Sequence, residues 1–332
     1  FFNAPFFKLS VPFEGNLDTF AMTDTINKVP FPKKLEYGEV VSEGYQIRAT
    51  SREIYDKVIA IDKDATIQVI TSTTIGEIYK SNEYKISQLL DNFKYADYTQ
   101  GTSQTFDNFI LKHSNTKQII VVQGDFQYHA CLGKHVNFKN IYENEKNIIN
   151  LEDQLDGLNL HALIISAPFS DFGCIHPDFD HIMKVCNVHD IPVCLDLAYW
   201  GISKNVHIDL NLYPCIKEVT CSLSKPFFTL ENHRVGIRFT REYVDDGISM
   251  LNEVKMANNY SMALGLEYMK NFGADYNWEK YGQQYEVVCD QENLVWTDCM
   301  IFGLGDETRH KEFNRGVEGN YRVCISEWLG DC

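Results

Sequence analysis

Positive charge is scarce in this sequence: 30 Lys and Arg stand against 46 Asp and Glu in 332 residues, a formal charge of −16. Such a balance repels polyanions unless a local basic patch offsets it, and no basic run is present, so nucleic acid and anionic membranes are poor partners. No apolar run approaches the roughly 20 residues needed to span a bilayer. Paired Cys-x-x-Cys or Cys/His spacings of the kind structural zinc needs are missing, and the ten cysteines from Cys131 to Cys332 read as reduced thiols of a cytoplasmic protein. No Gly-x-Gly-x-x-Gly follows a strand-like run, which weakens a dinucleotide-binding reading. Repeats and low-complexity tracts are absent as well.

What is present suits a compact chain. Hydrophobic residues make up 44% and charged residues 23%, enough apolar content for a large core, and the length predicts one large and one smaller domain. Residues 1–45 carry prolines at positions 5, 12, 30 and 32 and read as irregular arm and loop. The aromatic opening Phe1 to Phe7 is broken by Asn3 and Pro5 and lacks a basic flank, so it reads as an arm packing on a neighbour rather than a leader.

Beyond Tyr45, short Val- and Ile-rich runs alternate with helix-like stretches: Ile67–Ile70, Ile119–Val122, Ala162–Ile165, Val193–Leu195 and Glu218–Cys221. Between two of them, Phe179, Ile182, Met183 and Val185 share one face of an amphipathic helix. Strand and helix in alternation predict an α/β fold, a mostly parallel sheet covered by helices. From Arg241 the pattern changes. Residues 248–272 read as one long helix, and Tyr285–Cys289, Val295–Phe302 and Tyr321–Ile325 as strands of a smaller α+β domain. The expected division is 1–45 as N-terminal arm and part of the small domain, 46–240 as the large domain, and 241–332 as the C-terminal small domain.

In open α/β sheets ligands lie beyond the carboxyl ends of the strands, so the residues just after each strand carry the chemistry. Asp196 follows the strand ending at Leu195, with Tyr199 three residues on. A buried carboxylate needs a cationic partner such as a protonated ring nitrogen, or it caps the next helix. After Cys221 come Ser222, Ser224 and Lys225, and nine residues later Arg234 in Arg234-Val235-Gly236. A partly desolvated lysine amine attacks an aldehyde, and two hydroxyls with a guanidinium suit a phosphate dianion. The alternative for Lys225 is a solvated surface group.

Earlier in the chain, Gly101-Thr102-Ser103 opens a helix, which makes either an anion site or an ordinary N-cap. Phe126 offers a flat face for a heterocycle or packs in the core, and His129 follows as a site residue or a plain surface or core histidine.

Taken in order, these segments resemble the fold type I pyridoxal-5′-phosphate (PLP) enzymes, the aspartate aminotransferase superfamily. The resemblance covers residues 96–240 well and a C-terminal strand more weakly. It implies a three-layer α/β/α PLP-dependent transferase fold, with Gly101, Thr102 and Ser103 as the phosphate cup and Phe126 as the stacking ring. His129 would stand behind the pyridine-binding aspartate, Asp196. Tyr199 would bond the ring's phenolic oxygen, and Lys225 would be the Schiff-base lysine and proton shuttle. Ser222 and Arg234, with Ser224 beside them, would hold the phosphate, and Arg322, in Asn320-Tyr321-Arg322, the substrate carboxylate. Ala167-Pro168-Phe169-Ser170 departs from the family's Asn-Pro-Thr-Gly, placing Ser170 where the asparagine stands; a hydroxyl donates one hydrogen bond where an amide donates two.

The activity so implied is an aminotransferase exchanging an amino group between an amino acid and a 2-oxo acid through an aldimine at Lys225, in a homodimer. Lyases, decarboxylases and racemases of the same fold use the same cofactor residues. A non-catalytic PLP-fold binding protein is a further reading, against which the intact Asp196, Tyr199, Lys225 and Arg234 set argues.

Overall fold

A computed structural model describes residues 40–42, 47–49, 84–87, 93–133, 136–143, 146, 148–225, 234–254, 256–258, 261 and 276–329. Two short strands, β1 (Val40–Ser42) and β2 (Ile47–Ala49), form an antiparallel pair, so part of the stretch expected to be irregular is strand. The strand β3 (Tyr84–Ser87) lies parallel to β9 (Val206–Asp209). The run Ile67–Ile70 lies outside the described residues.

The centre is a seven-stranded sheet. Its members are β4 (Tyr95–Thr99), β5 (Gln118–Val122), β6 (Phe138–Ile141), β7 (His161–Ser166), β8 (Val193–Leu197), β10 (Ile216–Ser222) and β11 (Gly236–Thr240), in the order β4-β11-β10-β8-β7-β5-β6. β11 runs against both its neighbours, and the other pairings are parallel. Six strands therefore end at one rim.

The continuous apolar runs of β5, β7 and β8 follow from burial on both faces. Ile119, Val121, Ala162, Ile164 and Cys194 pack on Phe106, Phe109 and Ile110 of helix α1 (Thr102–His113). Their alternates Ile120, Val122, Leu163, Ile165, Val193 and Leu195 pack on Phe179, Ile182 and Met183 of α4 (Phe179–Val188). The two-residue period thus gives helices on both sides, the three-layer α/β/α arrangement the sequence implies. It also sets a direction: Asp196 shares its face with Cys194, the side where α1 and α2 (Gln127–Gly133) lie.

Between them in the chain, α3 (Leu151–Gln154) is capped by the Asn150 side chain. At the sheet edge the buried Arg238 of β11 binds Asp97 of β4 at 2.7 Å and also Asp246, the cap of α5 (Gly247–Glu253). This pins α5 to the sheet. Glu253 ends that helix, Val254 is its cap and residues 256–258 are not helical, so the long helix expected over 248–272 is interrupted.

The C-terminal part corrects two more expectations. Tyr285–Cys289 is not a strand but lies within α6 (Tyr276–Glu292), where Tyr285, Val288 and Cys289 are buried at helical spacing while Val287 is exposed. Val295–Phe302 is split into β12 (Val295–Trp296) and β13 (Phe302–Leu304), joined by a turn in which the Thr297 hydroxyl accepts the Cys299 N–H at 3.2 Å. After the single turn α7 (Glu307–His310), β14 (Arg322–Cys324) pairs with β13, where the sequence places a strand. A second apolar cluster, with Tyr285, Met300, Phe302, Val323 and Ile325, holds α6 to this sheet.

Candidate active site

Two glycines shape the first wall. Gly101, at the start of α1, has φ +73°, and no side chain caps that helix, so its first N–H groups stay open to an anion. A Cβ on Gly101 would lie 2.7 Å from Nη2 of Arg234. A Cβ on Gly236 would lie 2.7 Å from Oγ1 of Thr99 and 2.9 Å from the Gly101 carbonyl carbon. Only bare backbone lets β4, β11 and the start of α1 meet this closely. The register aligns Ser222, Gly236 and Thr99 across β10, β11 and β4, so the Ser222 end of β10 sits beside the cup.

Arg234 donates from Nη2 to Oγ of Ser103 at 2.9 Å. The buried hydroxyls of Ser222 and Ser224 lie 2.8 Å apart, and the Ser224 N–H donates to Oγ of Ser222 at 3.1 Å. Thr102 is buried at the same helix start. A guanidinium, free N–H groups and hydroxyls around a cradle that a Cβ would fill make a dianion site.

The second wall is acidic. Asp196 is 2% exposed; its Oδ1 accepts the Ala198 N–H at 2.9 Å, and its Oδ2 lies 3.4 Å from both the Ser166 hydroxyl and Nε2 of His129. Asp196 does not cap the helical turn Trp200–Ile202 that follows, and each of its oxygens accepts one hydrogen bond, a short one from Ala198 and a longer one from Ser166. His129 is fully buried, its Nδ1 3.8 Å from Oδ2 of Asp125. Asp125 accepts the N–H groups of Phe126 at 2.7 Å and Ser166 at 2.8 Å, and burial holds its carboxyl above the usual range. The Phe126 ring meets His129 edge-on at 5.5 Å and stacks on Tyr128 at 6.2 Å. It is half-buried, between core and opening.

Lys225 follows β10, half-buried, with its Nζ 5.5 Å from the centre of the Tyr199 ring. Tyr199 meets Phe302 edge-on at 5.1 Å, and the Arg322 guanidinium lies 4.1 Å over the same Phe302. Arg322 donates from Nη1 to the Ser170 carbonyl at 2.7 Å and to Oγ of Ser170 at 3.1 Å. β14 thereby brings Arg322 to the loop after β7, joining Ser170, Tyr199 and Lys225 on one side of the rim.

Three charged groups here were not singled out from the sequence. Asp125 lies next to Phe126 at a strand end and was findable by that position. Asp171, fully buried, and Arg315, whose Nη1 lies 3.2 Å from Oδ1 of Asp171, gave no signal, since Arg315 sits in a loop with no neighbouring pattern. Burial raises the Asp171 carboxyl above its ordinary value, against the pull of both arginines. Burial and the nearby Arg322 bring Arg315 down to about 10. Among the described residues no group of three or more His, Cys, Asp or Glu side chains could hold a metal ion. No helix among them is long and apolar enough to cross a membrane.

The arrangement suits one flat, doubly charged molecule. The residues expected to hold PLP fit it: an anion cup with a bare glycine, a half-buried ring, a buried carboxylate, and a lysine just after β10.

No family model and no curated protein matches the sequence. Solved structures do match by fold. Tyrosine aminotransferase from Leishmania infantum superposes with a TM-score of 0.59 at 12% identity, covering 82% of this chain and 85% of its own. The histidinol-phosphate aminotransferase from Clostridium acetobutylicum gives 0.55 at 13%, over 83% and 90%. A PLP-bound C–S lyase from Staphylococcus hominis gives 0.56 at 11%, over 84% and 82%.

Proposed function

On a chain that has the fold type I architecture of PLP-dependent aminotransferases, we propose a PLP-dependent enzyme, and specifically an aminotransferase acting on an amino acid and a 2-oxo acid. The observation that carries this is convergence. Seven site segments from Gly101 to Arg322 meet at the carboxyl-end rim of one sheet, with Lys225 beside Tyr199 and Asp196 backed by His129.

PLP, when bound, supplies an electron-accepting ring for the charge left on a substrate carbon. Lys225 would hold it through Nζ and move a proton there. Asp196, positioned by the Ala198 N–H and the Ser166 hydroxyl, would face the ring nitrogen. Arg234, Ser103, Ser222 and Ser224, with the N–H groups after Gly101 and the Thr102 side chain, hold the phosphate. Phe126 would cover the ring face, and Tyr199 and Ser170 would supply hydroxyls to its oxygen. Arg322 binds the substrate carboxylate, and its stacking on Phe302 fixes the plane of its fork.

A homodimer in the cytoplasm belongs to the same proposal, supported by the resemblance and by nine free cysteines among the described residues. A lyase is the second reading, favoured by the C–S lyase among the structures of like fold. The test is an absorbance spectrum of purified protein titrated with a panel of amino acids. An aminotransferase converts to the pyridoxamine form with a particular donor. Bound PLP that no amino acid converts rejects transamination in favour of the other chemistries, and absence of PLP rejects the whole reading.

A further inference from the structure

Ser170 is fully buried in the loop after β7, yet two guanidinium groups reach its single hydroxyl. Arg322 donates to Oγ at 3.1 Å and Arg315 at 3.4 Å, both through Nη1. A hydroxyl has two acceptor positions and one proton. With both acceptor positions taken, the proton is what remains, and among the described residues none accepts it.

Arg315 is placed with some care. Asn314 donates from Nδ2 to the carbonyls of Val317 at 2.6 Å and Asn320 at 2.9 Å, and its Oδ1 accepts the Gly316 N–H at 2.9 Å. Asn320 in turn donates to the Asp171 carbonyl at 2.8 Å. The loop closes on itself and on the segment that bears Ser170, and it delivers Arg315 to the Asp171 carboxylate. Asp171, Arg322, Tyr199 and Asp125 are the charged or titratable groups that act on Arg315. Arg315 and Arg322 both lie beside the Asp171 carboxylate, so two guanidinium groups converge on the loop that bears Ser170.

We propose that Arg315, seated by Asp171, is a positioning residue: together with Arg322 it fills the acceptor side of the Ser170 hydroxyl and fixes that hydroxyl as a donor to an oxygen of the molecule bound in the site. Arg315 does not touch that molecule. It acts through Ser170, and the bound molecule is PLP on the reading above, on which this inference rests.

The test is a coupling measurement on PLP-loaded protein, read as the pH midpoint of its visible absorption band. Ser170→Ala removes the donor and shifts the midpoint by about half a unit to one unit, the size of a single net hydrogen bond. Arg315→Gln combined with Asp171→Asn removes the pair without changing net charge. It shifts the midpoint in the same direction, and in the Ser170→Ala background that shift falls to less than about half its size, the mark of two residues acting as one. If the paired variant does not fold by circular dichroism, Arg315→Lys, which keeps the charge opposite Asp171, is carried through the same cycle.

An equal shift with and without Ser170, or no shift from the pair where Ser170→Ala gives one, overturns the positioning role while leaving PLP in place. A wild-type protein that shows no visible band when loaded with PLP overturns the cofactor reading and this inference with it. The two failures therefore have different signatures.

Discussion

The two sides of the site are opposite in charge. On the strand side, Asp125 and Asp196 face one histidine, each with N–H donors from the backbone. On the side built by β14 and the loop before it, Arg315 and Arg322 share one carboxylate, Asp171, and the Nε of Arg322 has no hydrogen-bond partner. On the proposed function, the bound molecules would carry positive charge toward Asp196 and negative charge toward Arg322, with a dianion at Arg234.

The sharpest way to break that contrast is to neutralise the acidic wall. Asp196→Asn removes one partner of a buried ion pair, worth about 3–5 kcal/mol, so turnover falls by about 10²- to 10⁴-fold while PLP remains bound; steady-state rates and the absorption spectrum measure both. A change of less than about threefold would contradict the charge assigned to that wall.

On the basic wall, Arg322→Ala removes charge-assisted bonds of about 1.5–3 kcal/mol and raises KM for the amino acid by about ten- to a hundredfold, with a smaller change in kcat. A variant with unchanged KM would remove Arg322 from the carboxylate subsite.

Acid reaches the loop that links the walls. His176 meets Phe169 edge-on at 4.7 Å and accepts the Asp178 N–H at Nδ1. Burial lowers it from 6.5 to about 4. The unfolded chain takes up that proton below 6.5, whereas the folded chain does so only near 4. Stability is therefore lost as pH falls through this window, by about 2 kcal/mol for this residue. His113, lowered in the same way, adds to the slope. Thermal melts from pH 7 to 4.5 show a shallower decline in His176→Asn, and an unchanged slope would reject the assignment.

The smallest effect expected is at the cup. Gly101→Ala places a Cβ against Arg234 and in a left-handed backbone, at a cost of about 1–2 kcal/mol. PLP affinity falls about tenfold, as fluorescence titration measures.

Legibility from sequence followed local pattern. Asp196, Lys225 and Gly101 stand at strand ends or a helix start, and the strand sides alternate as the apolar runs require, so order along the chain placed them. The pair Asp171 and Arg315 meets only because two loops 144 positions apart are tied through Asn320, and no local period marks it. Tyr285–Cys289 failed for another reason. A short apolar run fits strand and helix alike until Tyr285, Val288 and Cys289 are seen to be buried at helical spacing.

Borohydride reduction of wild-type protein loaded with PLP, followed by peptide mass spectrometry, tests the central claim most directly. The account predicts a pyridoxyl adduct on Lys225 and none in Lys225→Ala. A wild-type protein with no adduct at Lys225, or with its adduct on another lysine, would contradict it.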